Sequence, residues 1–251
     1  MNILVVNDDS INSQGLQVLV NALSYQGKIY VAAPKYEQSA CSHKITIIDE
    51  IYIEEQFGFF GSAGTIIVDG SPADCVRVAI KKFSEVDFDL VVSGINNGLN
   101  LSIDTHYSGT IAAAMEARIL GIPALAISAA DISKDFLFDE TIKIIDEIIN
   151  TGVYDFDGIL NINIPNTKPK GVVVVPLGFR TFHAEYTLAP SSKTKYFIQH
   201  SIIDKKTTYE TDSSAIDEGY ASVTPLLIDL TNYRQFNKLK RVFSGEINHD
   251  S

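Results

Sequence analysis

The sequence contains no tryptophan and only two cysteines among its 251 residues. The two thiols, Cys41 and Cys75, are too few for the disulfide framework of a small secreted protein, and they fit a reducing compartment. No apolar run approaches the roughly 18 residues that a membrane-spanning helix requires. The first residues, in which a short apolar run leads into two carboxylates, are unlike a signal peptide. We therefore expect a cytoplasmic protein with no membrane partner.

Positive charge is scarce as well, since 20 lysines and arginines face 31 aspartates and glutamates and the net charge is −11. A protein that binds duplex nucleic acid usually has the opposite balance, so we expect no such partner. An anionic substrate would need a local attraction, which a bound cation or a helix N-terminus supplies. The hydrophobic fraction of 45% is ordinary for a globular protein and argues against disorder.

Short apolar runs alternate with helical patterns as far as about residue 165. The runs lie at 3–6, 29–33, 90–92, 124–127 and 159–164, and the helical patterns at 16–23, 72–83, 110–120 and 142–149. Continuous apolar runs are typical of strands buried on both faces, and helical apolar stripes are typical of helices packed on a sheet. This rhythm predicts an α/β protein with a doubly wound, mostly parallel sheet. Residues 45–53 alternate less strictly and predict an excursion or hairpin. Ser71 as N-cap and Asp74 three residues later predict a short capping box at the start of the pattern at 72–83.

The pattern changes after about residue 172. Strand patterns at 172–175, 196–200 and 221–224 are separated by long polar connections, and a final helix is predicted at 232–243. We interpret residues 1–180 as the core and residues 181–251 as a C-terminal extension of the same domain. The extension is predicted to include an arm through which copies of the chain associate.

Polar residues follow three of the predicted strands at the edge where an open α/β sheet binds its ligands. Asp8 and Asp9 follow the first strand, Ser39 lies after the second, and Asn96 follows the strand at 90–92. Two adjacent carboxylates after a buried strand repel each other, and a divalent cation would relieve that repulsion. The oxygen-rich set favours Mg²⁺, Mn²⁺ or Ca²⁺ over Zn²⁺. The alternative is that Asp8 caps the following helix and Asp9 is solvated.

The polar stretch 96–110 runs directly into a predicted helix. Ser108, Gly109 and Thr110 would place backbone N–H groups and two hydroxyls at the helix N-terminus, an arrangement that binds phosphate. The alternative is an ordinary N-cap formed by Ser108. Neither a G-x-x-x-x-G-K-[ST] nor a G-x-G-x-x-G motif is present, which argues against nucleoside triphosphate hydrolysis and dinucleotide redox chemistry.

Six ordered motifs together resemble those of one family. They are Asn7-Asp8-Asp9, Ala33-Pro34 with Gln38-Ser39-Ala40, Gly70-Ser71-Pro72-Ala73-Asp74-Cys75, Ser93-Gly94-Ile95-Asn96-Asn97-Gly98-Leu99-Asn100, Tyr107-Ser108-Gly109-Thr110, and Thr211-Asp212-Ser213-Ser214-Ala215 with 219–226. In this order they resemble the SurE family of survival-protein nucleotidases over almost the full length. The resemblance implies a metal-dependent 5′-nucleotidase that hydrolyses nucleoside 5′- and 3′-monophosphates and, in some members, short polyphosphate.

The resemblance also implies roles for individual residues. One Mg²⁺ or Mn²⁺ per subunit would be held by Asp8, Asp9, Ser39 and Asn96, of which Asp8, Asp9 and Asn96 would be catalytic. Contacts to the phosphate or substrate would come from Ser39, Asn100, Ser108, Gly109 and Thr110. The fold would be a Rossmann-like core with a C-terminal β-hairpin arm and a terminal helix. The arm would be exchanged between the subunits of a homodimer or tetramer.

Three positions depart from the usual pattern of the family. Ser10 and Ser102 stand where glycine is usual, and Gln38 stands where arginine is common. A serine is strained where the backbone requires a positive φ. Loss of the arginine removes a positive charge near the phosphate. These changes bear on the rate and the substrate preference more than on the type of reaction.

The reaction that these residues predict is the attack of an activated water on phosphorus, with Asp8 or Asp9 accepting the proton. A covalent phosphoenzyme is disfavoured because an aspartyl nucleophile needs Asp-x-Asp, and Asn7 takes the first of those places. His43 or His106 could protonate the leaving group, although a loop histidine is more often structural. A signalling receiver domain is disfavoured by the missing phosphoacceptor aspartate. A catalytically silent nucleotide or metal sensor on the same scaffold is the alternative function.

Overall fold

The computed structural model describes residues 1–189, 196–204 and 210–244. The strands are β1 (Asn2–Val6), β2 (Lys28–Pro34), β3 (Ile53–Gln56), β4 (Gly64–Val68), β5 (Leu90–Asn97), β6 (Ala124–Ala129), β7 (Gly158–Ile164), β8 (Val172–Val174), β9 (Arg180–Leu188), β10 (Tyr196–Asp204) and β11 (Ala221–Leu227). The α-helices are α1 (Gln14–Leu23), α2 (Pro72–Lys82), α3 (Gly109–Ile119), α4 (Leu137–Thr151), α5 (Asp212–Asp217) and α6 (Tyr233–Phe243), and Ser102–His106 form a 3₁₀ helix. Among the described helices, none has the length and apolarity needed to span a bilayer.

The central sheet has nine strands in the order β3-β4-β2-β1-β5-β6-β7-β11-β8. The strands from β4 to β7 in this order are mutually parallel. At the two flanks, β3 runs antiparallel to β4 and β11 runs antiparallel to β7. The chain first moves outward from β1 to β2 and β4, and then crosses to β5 on the other side of β1. The predicted doubly wound, mostly parallel sheet is therefore confirmed, with its change of winding direction beside β1.

Helices cover both faces of this sheet, as a parallel sheet requires. α1 contacts α4 on one face, and α2 contacts α3 on the other. The first face buries Leu16, Leu19, Ile144 and Ile145 together with apolar strand residues. The second face buries Val76, Ala79, Ala113 and Ala117, whose small side chains let α2 and α3 lie close together. The predicted helices at 16–23 and 110–120 are thus confirmed with their apolar faces against the sheet.

The start of α2 explains a difference from the sequence prediction. Ser71 and Asp74 form the predicted capping box, in which each side chain accepts a hydrogen bond from the other residue's backbone N–H. Asp74 also accepts hydrogen bonds from the backbone N–H and the hydroxyl of Thr46, both at 2.8 Å. These contacts tie the segment before β3 to the helix start. Residues 45–52 are therefore the excursion of the two predicted alternatives, and the hairpin strand β3 begins only at Ile53. Its partner β4 is a short strand that the sequence analysis did not predict.

The C-terminal part contributes both to the sheet and to a separate hairpin. β9 and β10 pair antiparallel over their whole length, from Arg180 opposite Asp204 to Leu188 opposite Tyr196, which confirms the predicted hairpin. β11 returns to the central sheet between β7 and β8. The predicted terminal helix is α6, in which no residue is buried. The boundary at residue 180 and the exchange of the arm between subunits stay predictions.

Candidate active site

The carboxyl ends of β1, β2 and β5 lie side by side, because β1 pairs with β2 on one side and with β5 on the other. Backbone N–H groups from the loop after β2 and from the last residue of β5 contact the loop after β1. The N–H of Gln38 donates to the carbonyl oxygen of Asp8 at 2.9 Å. The N–H of Asn97 donates to Oδ2 of Asp9 at 3.1 Å. The three predicted loops therefore meet at the crevice where an open sheet of this topology binds its ligands.

Asp8 is a buried carboxylate that contacts the start of α3. Its side chain is 6% exposed, and its Oδ1 accepts a hydrogen bond from the hydroxyl of Thr110 at 2.7 Å. Burial raises the pKa of Asp8 to about 6, the Thr110 hydroxyl opposes this shift, and the charge of Asp9 adds to it. The carboxylate is thus held in a position where a cation would stabilise its ionised form.

Asp9 is affected by a further acidic side chain, that of Glu37, which the sequence analysis missed. Burial raises the pKa of Asp9, the N–H of Asn97 opposes the shift, and the charge of Glu37 adds to it. The exposed Ser39 donates its hydroxyl proton to Oε1 of Glu37 at 2.6 Å. This bond leaves the lone pairs of the Ser39 hydroxyl available to a cation. The only sequence signal for Glu37 is its place two residues before Ser39.

Asn96 owes its position to an irregularity in β5. The pairing of β5 with β6 changes register between Ser93 and Asn96. Such bulges re-aim side chains and are common beside functional sites. The half-buried Asn96 donates its Nδ2 to the carbonyl oxygen of Gly98 at 2.7 Å. Its Oδ1 is therefore the end of the amide left for a cation.

The N-terminus of α3 abuts Asp8 directly. Ser108 is the N-cap and accepts a hydrogen bond from the N–H of Ile111 at 3.1 Å, so the ordinary capping alternative holds for this side chain. A Cβ on Gly109 would lie only 3.0 Å from Cβ of Asp8 and from Sγ of Cys41. This close approach favours a glycine. The first N–H groups of the helix, which have no partner within it, lie beside the carboxylate pair.

Asn100 rests on buried polar residues of β6 and β7. Its N–H donates to Oδ1 of Asn163 at 2.8 Å, and its Nδ2 donates to the hydroxyl of Ser128 at 2.8 Å. Its carbonyl oxygen accepts from the amides of Asn161 and Asn163 at 2.9 and 3.1 Å. The sequence analysis did not single out these three supporting residues. Their signal is two asparagines, spaced by two, inside an otherwise apolar strand.

Two of the departures from the family's usual pattern fall on unusual backbone. Ser10 has a φ of 80° and Ser102 a φ of 55°, both in the left-handed region that favours glycine. The strain anticipated for Ser10 is therefore present. Asn7 stabilises this turn by donating its Nδ2 to the carbonyl oxygen of Ser10 at 2.8 Å. The Oδ1 of Asn7 is buried and has no hydrogen-bond partner among the described residues.

The two loop histidines have different surroundings. Nε2 of His43 lies 2.7 Å from Oε2 of Glu116, a buried glutamate that Arg77 also contacts at 2.6 Å. This pairing is the structural role considered for a loop histidine. His106 is exposed on the 3₁₀ helix, and both histidines border a largely apolar cleft of about 690 Å³ together with Ser108.

The residues at this site fit a divalent cation of the hard, oxygen-binding type. Asp8 and Asp9 supply two carboxylates, and the orphaned Oδ1 of Asn7 is a further buried oxygen in the same loop. Within the described ranges, no group of three or more His, Cys, Asp or Glu side chains is arranged to hold a metal. A cation here would be held by the two carboxylates together with neutral oxygens, for which the sequence predicted the hydroxyl of Ser39 and the amide of Asn96.

The fold and the site define a class: an α/β protein with an acidic pair and a helix N-terminus at the change of winding direction of its sheet. A sequence profile of the family described as "Survival protein SurE" matches residues 3–184. The 5′-nucleotidase SurE of Pelotomaculum thermopropionicum is 38% identical over 96% of this chain and 95% of its own. That of Clostridium tetani is 36% identical over 97% of this chain and 100% of its own.

A solved structure gives the same result. The SurE protein from Aquifex aeolicus superposes with a TM-score of 0.80 at 35% identity, covering 96% of this chain and 99% of the other. The chain belongs to the SurE family, as its motifs predicted.

Proposed function

We propose that this protein is a metal-dependent nucleotidase that hydrolyses nucleoside 5′- and 3′-monophosphates to nucleoside and phosphate. Its relatives of known name, at 33–38% identity, are called 5′-nucleotidase SurE. The observation that carries the proposal is the 2.7 Å hydrogen bond from Thr110 to Asp8. This bond joins a carboxylate that favours a cation to a helix N-terminus that favours an anion, and phosphate hydrolysis needs both.

The metal would be held by Asp8, Asp9, Ser39 and Asn96. A divalent cation, Mg²⁺ or Mn²⁺, supplies Lewis-acid neutralisation of phosphate charge and lowers the pKa of the attacking water. The relatives' names do not specify the ion, and its choice is part of the proposal.

The remaining chemistry comes from the chain itself. Asp9 accepts the proton of the attacking water, because it is more exposed than Asp8 and is held by the N–H of Asn97. Asp8 is catalytic through the cation that it binds, and its orientation is fixed by Thr110. The N–H groups of Gly109 and Thr110 bind the phosphate oxygens and stabilise their growing charge.

Asn100 and Ser108 complete the phosphate contacts in this proposal, and Ser39 lies on the cation side of the phosphate. Asn100 is suited to that role because its surroundings immobilise it through four hydrogen bonds. A rigid contact stabilises the transition state without reorganisation. Activity on short polyphosphate, a cytoplasmic location and a homodimer or tetramer joined through the arm belong to the same proposal.

The test is the release of inorganic phosphate from a panel of 5′- and 3′-mononucleotides with Mn²⁺, with Mg²⁺ and with a chelator. We expect metal-dependent release that Asp9→Asn abolishes. The matched control is Asp155→Asn, which removes an exposed carboxylate before β7, at the opposite end of the sheet. Nucleotide binding without phosphate release from folded, metal-supplied protein would refute the nucleotidase and favour the sensor.

A further inference from the structure

The loop between β5 and α3 is fastened in its middle by one buried carboxylate from the C-terminal part of the chain. Asp212 is 0% exposed, and its Oδ2 accepts a hydrogen bond from the N–H of Ser102 at 2.6 Å. Its Oδ1 accepts from the hydroxyl of Ser102 at 2.9 Å. The same oxygen accepts from the N–H groups of Gly178 and Ser213, both at 2.8 Å. One carboxylate therefore joins three segments that are distant in the sequence.

All the partners of Asp212 are donors, and an ionised carboxylate is the side chain that only accepts. The fit is therefore specific for Asp rather than for any polar residue of its size. The packing around it is equally close. A Cβ on Gly178 would lie 2.9 Å from the hydroxyl of Ser213 and 3.0 Å from that of Ser102.

Ser102 is the residue in this contact that needs to be held. Its φ of 55° lies in the left-handed region, which a residue with a Cβ adopts only when the surrounding structure imposes it. The two hydrogen bonds from its N–H and hydroxyl to Asp212 impose it here. A glycine at this position would adopt the same conformation without such support.

The position of Ser102 in the chain gives the contact its importance. Asn100 lies two residues before it, and the N-terminus of α3 at Ser108–Thr110 lies just after the 3₁₀ helix that Ser102 begins. Both ends of the loop thus carry groups that the proposed function assigns to the phosphate. Gly178 lies just before β9, so the same carboxylate also links this loop to the base of the hairpin.

We propose that Asp212 is a positioning residue for the phosphate-binding loop, and that it acts by holding Ser102 in the left-handed conformation. The inference rests on the proposed function, since it takes the loop to bind the substrate phosphate. Asp212 itself touches no reacting group in this scheme.

The first variant to measure is Asp212→Asn. Whichever way the new amide is turned, its NH₂ faces a backbone N–H, and the least crowded orientation places it against the N–H of Ser102. We expect KM for a nucleoside monophosphate to rise about 10-fold, equivalent to about 1.4 kcal/mol of binding free energy, because Ser102 is no longer held in the left-handed conformation and the loop no longer places its phosphate contacts. The Mn²⁺ concentration that gives half-maximal activity should stay unchanged, because the proposed metal ligands lie outside the loop.

The second variant separates positioning from general stabilisation. Ser102→Gly in the Asp212→Asn background removes the residue that needs holding, although it also deletes a hydroxyl. A positioning role predicts that the KM of this double variant falls most of the way back to that of the unmodified protein. A merely stabilising role predicts a further loss, because one more hydrogen bond is removed. Glu140→Gln, which alters another buried carboxylate on the distant helix α4, is the matched control and should leave KM unchanged.

The outcomes are distinguishable. If the unmodified protein releases no phosphate, the proposed function fails and this inference fails with it. If the unmodified protein is active and Asp212→Asn has an unchanged KM, or Ser102→Gly worsens it further, only the positioning role is refuted. A raised KM that Ser102→Gly restores, with an unchanged Mn²⁺ requirement, supports it.

Discussion

Replacing Asp8 with asparagine should stabilise the metal-free protein at neutral pH, although it removes a proposed metal ligand. Asparagine has nearly the same shape, and its Oδ1 can still accept the hydrogen bond from Thr110. The change therefore removes the charge of a buried carboxylate and little else. It also removes the repulsion between that charge and Asp9.

The magnitude follows from the pKa of Asp8, which burial raises from 3.8 to about 6. Each pKa unit corresponds to about 1.4 kcal/mol, so ionised Asp8 lowers the free energy of unfolding by about 3 kcal/mol well above pH 6. Because the folded-state pKa is the higher one, the penalty is absent below about pH 4 and grows as the pH rises through about 6. For a chain of this size the gain in Tm at pH 7.5 would be roughly 6–12 °C.

The assay is thermal and urea unfolding of both proteins between pH 4 and pH 8, in chelator and in Mn²⁺. In chelator we expect the asparagine variant to be more stable at pH 7.5 and the two proteins to converge near pH 4. Mn²⁺ at 100 times its Kd should stabilise the unmodified protein by about 2.7 kcal/mol and leave the variant little changed. The reasoning is refuted if the variant is less stable in chelator at pH 7.5, or if the difference in stability does not depend on pH. Either result would mean that the charge of Asp8 does not lower the free energy of unfolding.

Two further predictions concern the backbone of the site. Gly109→Ala should lower kcat/KM at least about 10-fold, because its Cβ pushes α3 away from Asp8. The control is Gly171→Ala, whose Cβ has no neighbour closer than 3.8 Å and which should stay active. Steady-state kinetics measures both variants, and circular dichroism checks that both are folded. Ser10→Gly should raise the free energy of unfolding by about 1 kcal/mol, because it removes a Cβ from a residue at φ 80°. If urea unfolding shows no gain in stability, the backbone at Ser10 is not strained.

The sequence was sufficient for the parts of the molecule that depend on local pattern. Apolar runs predicted the parallel strands other than β4, and the residues after those runs predicted that Asp8, Asp9 and Asn96 lie at the carboxyl edge of the sheet. The capping box at Ser71 and Asp74 was predicted from spacing alone and is confirmed. Each of these depends on residues a few positions apart, where the backbone period fixes which side chains are neighbours.

The remaining features depend on contacts across the fold. Asn161 supports Asn100 from a strand 61 residues further along, and Asp212 holds Ser102 from 110 residues away. Glu37 acts on Asp9 because two loops meet, which its own neighbours in the sequence do not indicate. The residues of such pairs are not related by the helix or strand repeat, so a single sequence does not reveal that they are in contact.

The central place of β1 has a consequence for the order of folding. Asp8 follows a strand whose neighbours are β2 and β5, and it becomes buried only once β5 and α3 have docked. The nascent chain carries its acidic pair exposed to water while those later segments are still being made, so the pair costs nothing at that stage. If this burial follows the rate-limiting step of folding, a cation that relieves the repulsion slows unfolding and leaves the folding rate unchanged.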